Sequence, residues 1–233
     1  NVAVLTTGQI EAVNSASLAA LTTKQVKALS TDNVVALSTY QVANLTTGTM
    51  AALSTGQLQA IETGDIQALT TRQLASISTS TVQALSTDQV VALTTDQIAN
   101  LSTGNLKALT SAQVQAIETA DIRVLTTGQL GSLVSSTVSA LTTDQVVALQ
   151  TSQLNALATS NIQALSSDQV VALTTDQVVG ISTRNIGALT TANVAVLTSD
   201  QIGAVSSANL AALSSVQVKA LSTDNVVALS TYQ

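Results

Sequence analysis

From Leu5 to Leu229 an aliphatic residue recurs at every eighth position, 29 times, with no insertion or deletion. With Leu5 as position a of an octad abcdefgh, position c is Ser or Thr without exception, from Thr7 to Thr231. Position b is usually Ser or Thr, f is always Val, Ile, Leu or Met50, and h is mostly Ala. Position e is Gln or Asn except at Ser17, Thr49, Asp65, Thr81, Asp121 and Thr137, while d and g vary. The stretch LSTDQVVALTTDQIANL (85–101) holds two clean copies. One octad offers two large aliphatic residues and an Ala, roughly 3–6 kcal/mol if buried. Ordering an octad costs roughly 12 kcal/mol. An octad therefore cannot fold alone, and stacked neighbours must complete its core. Identical octads related by one constant rotation and rise trace a superhelix. Three or four octads to a turn would point a and f inward, and stacked short helices would lie about 8–10 Å apart.

Longer periods overlie the octad. Residues 59–69 (QAIETGDIQAL) recur seven octads later, at 115–125, as QAIETADIRVL. Residues 1–41 recur twenty-four octads later, at 193–233, with 33 of 41 positions identical. We read residues 1–233 as one continuous array. Both ends of the sequence fall at position e, and a segment of a longer array is expected.

Ser or Thr followed three residues later by Gln, as in Thr6 and Gln9 or Ser86 and Gln89, is the pattern of a capping box. Asp clusters at d (Asp32, Asp88, Asp96, Asp144, Asp168, Asp176, Asp200 and Asp224), in the first turn of such a helix, where the dipole favours an anion. Positions f and the following a are three apart and share a helix face. The expected fold is all-α, a solenoid with one short helix per octad. The alternative is a β-solenoid, which the abundant Val, Ile and Thr would suit. Against it, the apolar spacing of two, one and five breaks strand alternation, and few Gly are present for corners. The capping box leaves one question open. Position b lacks a good capping residue at Glu62, Glu118, Val134, Gln150 and Ala158, whereas c is always Ser or Thr. Either c is the cap, or its hydroxyl has a second role.

Composition excludes much chemistry. The chain has no Cys and no His, so thiolate sites, imidazole bases and His metal ligands are absent from it. Seven Lys and Arg against thirteen Asp and Glu give a net charge of −6, which argues against a nucleic-acid partner. Polar pairs interrupt the apolar residues, so no membrane span of about 20 apolar residues exists. Residues 1–4 carry no signal-peptide features. The only aromatic residues are Tyr40 and Tyr232, so Leu, Val, Ile and Ala must fill the interior.

The candidate metal ligands are Glu62 with Asp65 and, in the duplicated octad, Glu118 with Asp121. Carboxylates three apart share a helix face and can bind Ca²⁺ weakly or act as an acid–base pair. The competing explanation is a single octad variant that was duplicated, and no metal or other cofactor is expected. Lys24, Lys27, Lys107 and Lys219 lie at the variable d and g positions, where solubility is their expected role, and no catalytic residue is assigned. Position e is read as a ladder of structural hydrogen bonds at each bend, in preference to a polar ligand stripe. Rows of Ser and Thr suggest a further alternative, an ice-binding or adhesive face. On a strand, b and c would face opposite sides, which leaves only c for such a row.

Copies such as LSTDQVVALTTDQIANL resemble the octad arrays of very large, repetitive bacterial secreted and surface proteins with adhesin-like labels. The resemblance covers the whole chain. It implies an extracellular or cell-surface location and a structural or adhesive role in filaments or stalks. The expectation is a non-enzymatic structural protein that associates with itself, end to end or laterally through small residues such as Gly48, Ala112 and Gly131. A cell-surface target is a further candidate partner.

Overall fold

The computed structural model describes residues 2–233. After a 3-10 turn at Val2–Val4, 28 α-helices of four to six residues follow among the described residues, one per octad. No strand occurs among them. The all-α solenoid expectation therefore holds, and the β-solenoid alternative does not.

The helix Thr71–Ser76 shows why the octad folds this way. Thr70 is its N-cap, at φ −71° and ψ 153°. The Thr70 hydroxyl accepts from the Gln73 N–H at 3.2 Å, and Gln73 Oε1 accepts from the Thr70 N–H at 2.7 Å. Two of the helix's unpaired N-terminal donors are thereby satisfied. The helix stops at Ile77, which is extended at φ −68° and ψ 134° and whose N–H turns back to the Leu74 carbonyl at 3.2 Å. A bend is thus built from two extended residues, a and b, between helical runs. Their dihedrals are open to any L-residue. Among the described residues none has a positive φ and no peptide is cis. The bends accordingly need neither Pro nor Gly.

The chain divides into two compact units, Asn1–Ile117 and Glu118–Gln233. In the first, Thr39–Ala43 rests on Thr63–Ala68, and Thr47–Ala52 on Thr71–Ser76. In the second, Thr127–Ser132 rests on Thr151–Ala156, and Ser199–Ala204 on Thr223–Ala228. The partner is the third helix along in both units, so one turn of each coil takes three octads. Of the two turn sizes open at the level of sequence, the smaller is found.

Positions e, f and a face inward. In one octad and the next, Gln41 is 4%, Val42 0% and Leu45 7% exposed. Positions b, c, d and g lie mostly at the surface. The cap question resolves in favour of b. At Thr6, Ser30, Thr70 and Ser166 the b side chain accepts the N-terminal amide, and c is the first helical residue. Glu62, Glu118, Val134 and Ala158 make no side-chain cap bond, yet their helices form, held by packing.

Position c has the second role. It touches position d of the next turn, as two hydroxyls show. The Ser135 hydroxyl donates to the Ser160 carbonyl at 3.2 Å, and the Ser207 hydroxyl to the Tyr232 carbonyl at 2.9 Å. A Cβ built on Gly104 would stand 3.6 Å from Thr79 Cγ2. A small side chain with a hydroxyl, or a methyl beside it, suits that gap.

Candidate functional site: the amide spine and the acidic octads

The most regular polar feature is the row of position-e amides. Gln73 Nε2 donates to the carbonyls of Val42 at 3.0 Å and Leu45 at 2.8 Å, which are 31 and 28 residues earlier. Gln57 does the same to Val26 and Leu29 at 2.7 and 2.8 Å. In the second unit, Gln153 reaches Ile122 and Leu125 at 2.9 and 2.8 Å. Each acceptor pair belongs to the bend at the C-terminal end of an earlier helix, where carbonyls have no intrahelical partner. The amide thus caps its own helix through Oε1 and the preceding turn through Nε2. Buried carbonyls need such partners, and the spine supplies them.

The shorter Asn reaches one carbonyl. Asn33 Nδ2 donates to Leu5 at 3.0 Å, Asn193 to Leu165 at 2.9 Å and Asn105 to Leu74 at 3.2 Å. Where Asn185 serves Leu154, the neighbouring Arg184 Nη2 takes the Leu157 carbonyl at 2.6 Å. Asn155, at g, donates from Nδ2 to Gly180 at 2.9 Å and accepts from the Ser182 N–H at 2.8 Å. Nothing in the octad pattern singled out Arg184 or Asn155, because d and g vary freely there. With both ends occupied at Gln57, Gln73 and Gln153, position e acts as a structural ladder. Its partners lie a turn below as well as at its own bend.

The acidic octads occupy two different settings. Glu62 is exposed at the N-cap of Thr63–Ala68, and Asp65 is buried, 5% exposed, at the spine position of that helix. Glu118 and Asp121 repeat this at Thr119–Val124, with Asp121 also 5% exposed. The members of each pair therefore do not converge on one open surface. Among the described residues no group of three or more Asp and Glu is gathered closely enough to hold a metal ion through side chains alone. Lys24, Lys27, Lys107 and Lys219 are all exposed. No helix is long and apolar enough to cross a membrane among the described residues.

The repeat has a known counterpart. A family model described as the ALTTAQ repeat matches residues 2–39, 58–95, 72–103, 114–151, 146–183, 179–207 and 203–231. No curated protein matches the chain. The matched segments span most of both units and follow the octad through cap, spine and core positions alike, and the chain belongs to the ALTTAQ repeat family.

Proposed function

We propose that this chain is a structural repeat protein of an extracellular filament, stalk or surface layer, at the bacterial cell surface, without catalytic activity. One observation carries the reading. Every invariant or near-invariant octad position serves the scaffold, since b caps, e ties turns, f and a fill the core, and c touches the next turn. The positions left free to vary, d and g, form the surface. An enzyme needs at least one chemically singular site, whereas a spacer or filament needs uniform layers.

Small residues on exposed faces favour the filament form of this proposal. Gly48 and Ala112 are exposed for lateral contact. Gly131 also faces its own neighbour, with the Ala156 carbonyl 3.0 Å from where a Cβ would stand. Electron microscopy of the purified chain, with sedimentation velocity, tests the proposal. Long uniform fibres support it, and single short particles at all concentrations count against self-assembly.

The second reading is an adhesive or ice-binding surface. It draws on position c, whose exposed Thr residues, such as Thr79, Thr87 and Thr95, have no capping duty. Replacing one row of c residues by Ala and measuring cell adhesion or thermal hysteresis distinguishes it.

A further inference from the structure

We propose that residues 46–85 form a compliant segment, whose turns part from one another locally while the fully tied turns of the second unit stay closed. In that second unit every e residue from Gln153 to Gln233 donates a side-chain amide to the turn below. In the first unit Gln41, Gln57, Gln73 and Gln89 do the same. The e residues of the octads between them, Thr49, Asp65 and Thr81, carry no amide. The Thr49 hydroxyl lies 2.9 Å from Thr46 Oγ1, and the Thr81 hydroxyl 2.7 Å from Ser78 Oγ, so both stay at their own caps. Asp65 offers a carboxylate, which has no hydrogen to donate. By the 28-residue register of Gln57 and Gln73, the carbonyls left without a tie are those of Leu21, Leu37 and Leu53.

The placement of the three gaps matters more than their number. With three octads to a turn, Thr47–Ala52, Thr63–Ala68 and Thr79–Val82 fall on three different sides of the coil. Each side is therefore interrupted once within five octads. Helix ends are weak in the same stretch. Glu62 makes no side-chain cap bond, and Thr79–Val82, with four residues, is the shortest α-helix among the described residues. Local opening free energies follow the contacts and hydrogen bonds that opening must break. A tied turn must first lose its amide bond, whereas at an untied bend water serves the carbonyl as the turns separate. A missing cap alone does not have this effect, because it leaves the tie between turns in place. Ala158 has no cap bond, yet Asn161 of the same helix still donates to Leu133 at 2.8 Å. Under axial load the untied turns would yield first and lend the array extension, a use that rests on the filament reading. The local opening itself does not.

Hydrogen exchange read by mass spectrometry tests this on the full chain and on the same chain carrying Thr49→Gln, Asp65→Gln and Thr81→Gln. Gln is the usual residue at e, so the variant is expected to fold, and circular dichroism checks this. In the parent chain, peptides from 46–85 are expected to exchange about tenfold faster than those from 165–205. In the variant the difference is expected to vanish, through slower exchange in 46–85 with 165–205 unchanged. Equal exchange of the two stretches in the parent would overturn the proposal, whether or not the variant folds. A folded variant that exchanges as fast as the parent across 46–85 would also overturn it, since the missing ties would then not be the cause. Exchange led by residues 158–163 would overturn it too, in favour of opening governed by caps.

Discussion

Gln73 donates from Nε2 to the Leu45 carbonyl 28 residues earlier, at 2.8 Å, while its Oε1 accepts from the N–H of Thr70 at 2.7 Å. One side chain therefore closes its own helix and fastens the turn beneath. Gln73→Met keeps the length and removes both ends of this link, leaving the buried Leu45 carbonyl and the Thr70 N–H unserved and the Val42 carbonyl with its backbone partner, the Leu45 N–H, alone. At about 1–3 kcal/mol for an unsatisfied buried group, the loss is expected to be about 2–4 kcal/mol, read as a lower urea midpoint. Gln73→Asn keeps one of the two carbonyl bonds, as Asn33 does, and is expected to cost about 1 kcal/mol. Equal stability of the Met variant and the parent would show that the spine does not hold the turns together.

The caps make a reciprocal prediction. Thr70→Ala deletes the acceptor of the Gln73 N–H and is expected to cost about 1 kcal/mol. Ala158 occupies an N-cap with extended dihedrals and no side-chain bond. Ala158→Ser therefore installs the missing acceptor for the Asn161 N–H and is expected to raise stability by about 0.5–1 kcal/mol. Paired urea melts check both signs.

Gly180 occupies position h, where Ala is the usual residue, so Gly180→Ala looks like a repair toward consensus. The packing says otherwise. A Cβ at Gly180 would clash with Thr151 Cγ2 and come within 3.4 Å of its Cβ. Thr is stiff at χ1 and cannot swing clear cheaply. The substitution is expected to destabilise by about 1–3 kcal/mol, and adding Thr151→Ser, which removes Cγ2, is expected to recover most of that. Additive losses in the double variant, read from urea melts, would show that the two sites do not touch.

Much of this architecture was legible because it is local. The pairing of Thr70 with Gln73 is written within four residues, and so are the helix start, the inward f and a faces and the acidic first turn at residues such as Asp88. What lay beyond reach is set by contacts between turns. The number of octads per turn depends on the dihedrals of two extended bend residues, such as Leu53 and Ser54, which no side-chain pattern specifies. The constancy of c was plain in the letters, but its cause is a contact with the next turn, as between Ser135 and Ser160. The Gln at e was readable as half of a capping box, yet its second bond needs the turn beneath to be in place. In the acidic octads the pairing of Glu62 with Asp65 was visible in their spacing, and only burial separated exposed Glu62 from enclosed Asp65.

Three octads make a turn, each turn laid on the last within its unit. The chain has no Cys, so engineered cysteines report contact without background. Thr79→Cys with Gly104→Cys places two thiols where Thr79 Cγ2 now stands 3.6 Å from the Gly104 Cβ position, close enough for a disulfide. Thr79→Cys with Ala112→Cys shifts the second thiol by one octad, to the spacing of a four-octad turn. Rapid, near-complete oxidation of the first pair within the monomer, and little of the second, is the predicted result. Efficient closure of the second pair, with the first remaining reduced, would contradict the three-octad turn.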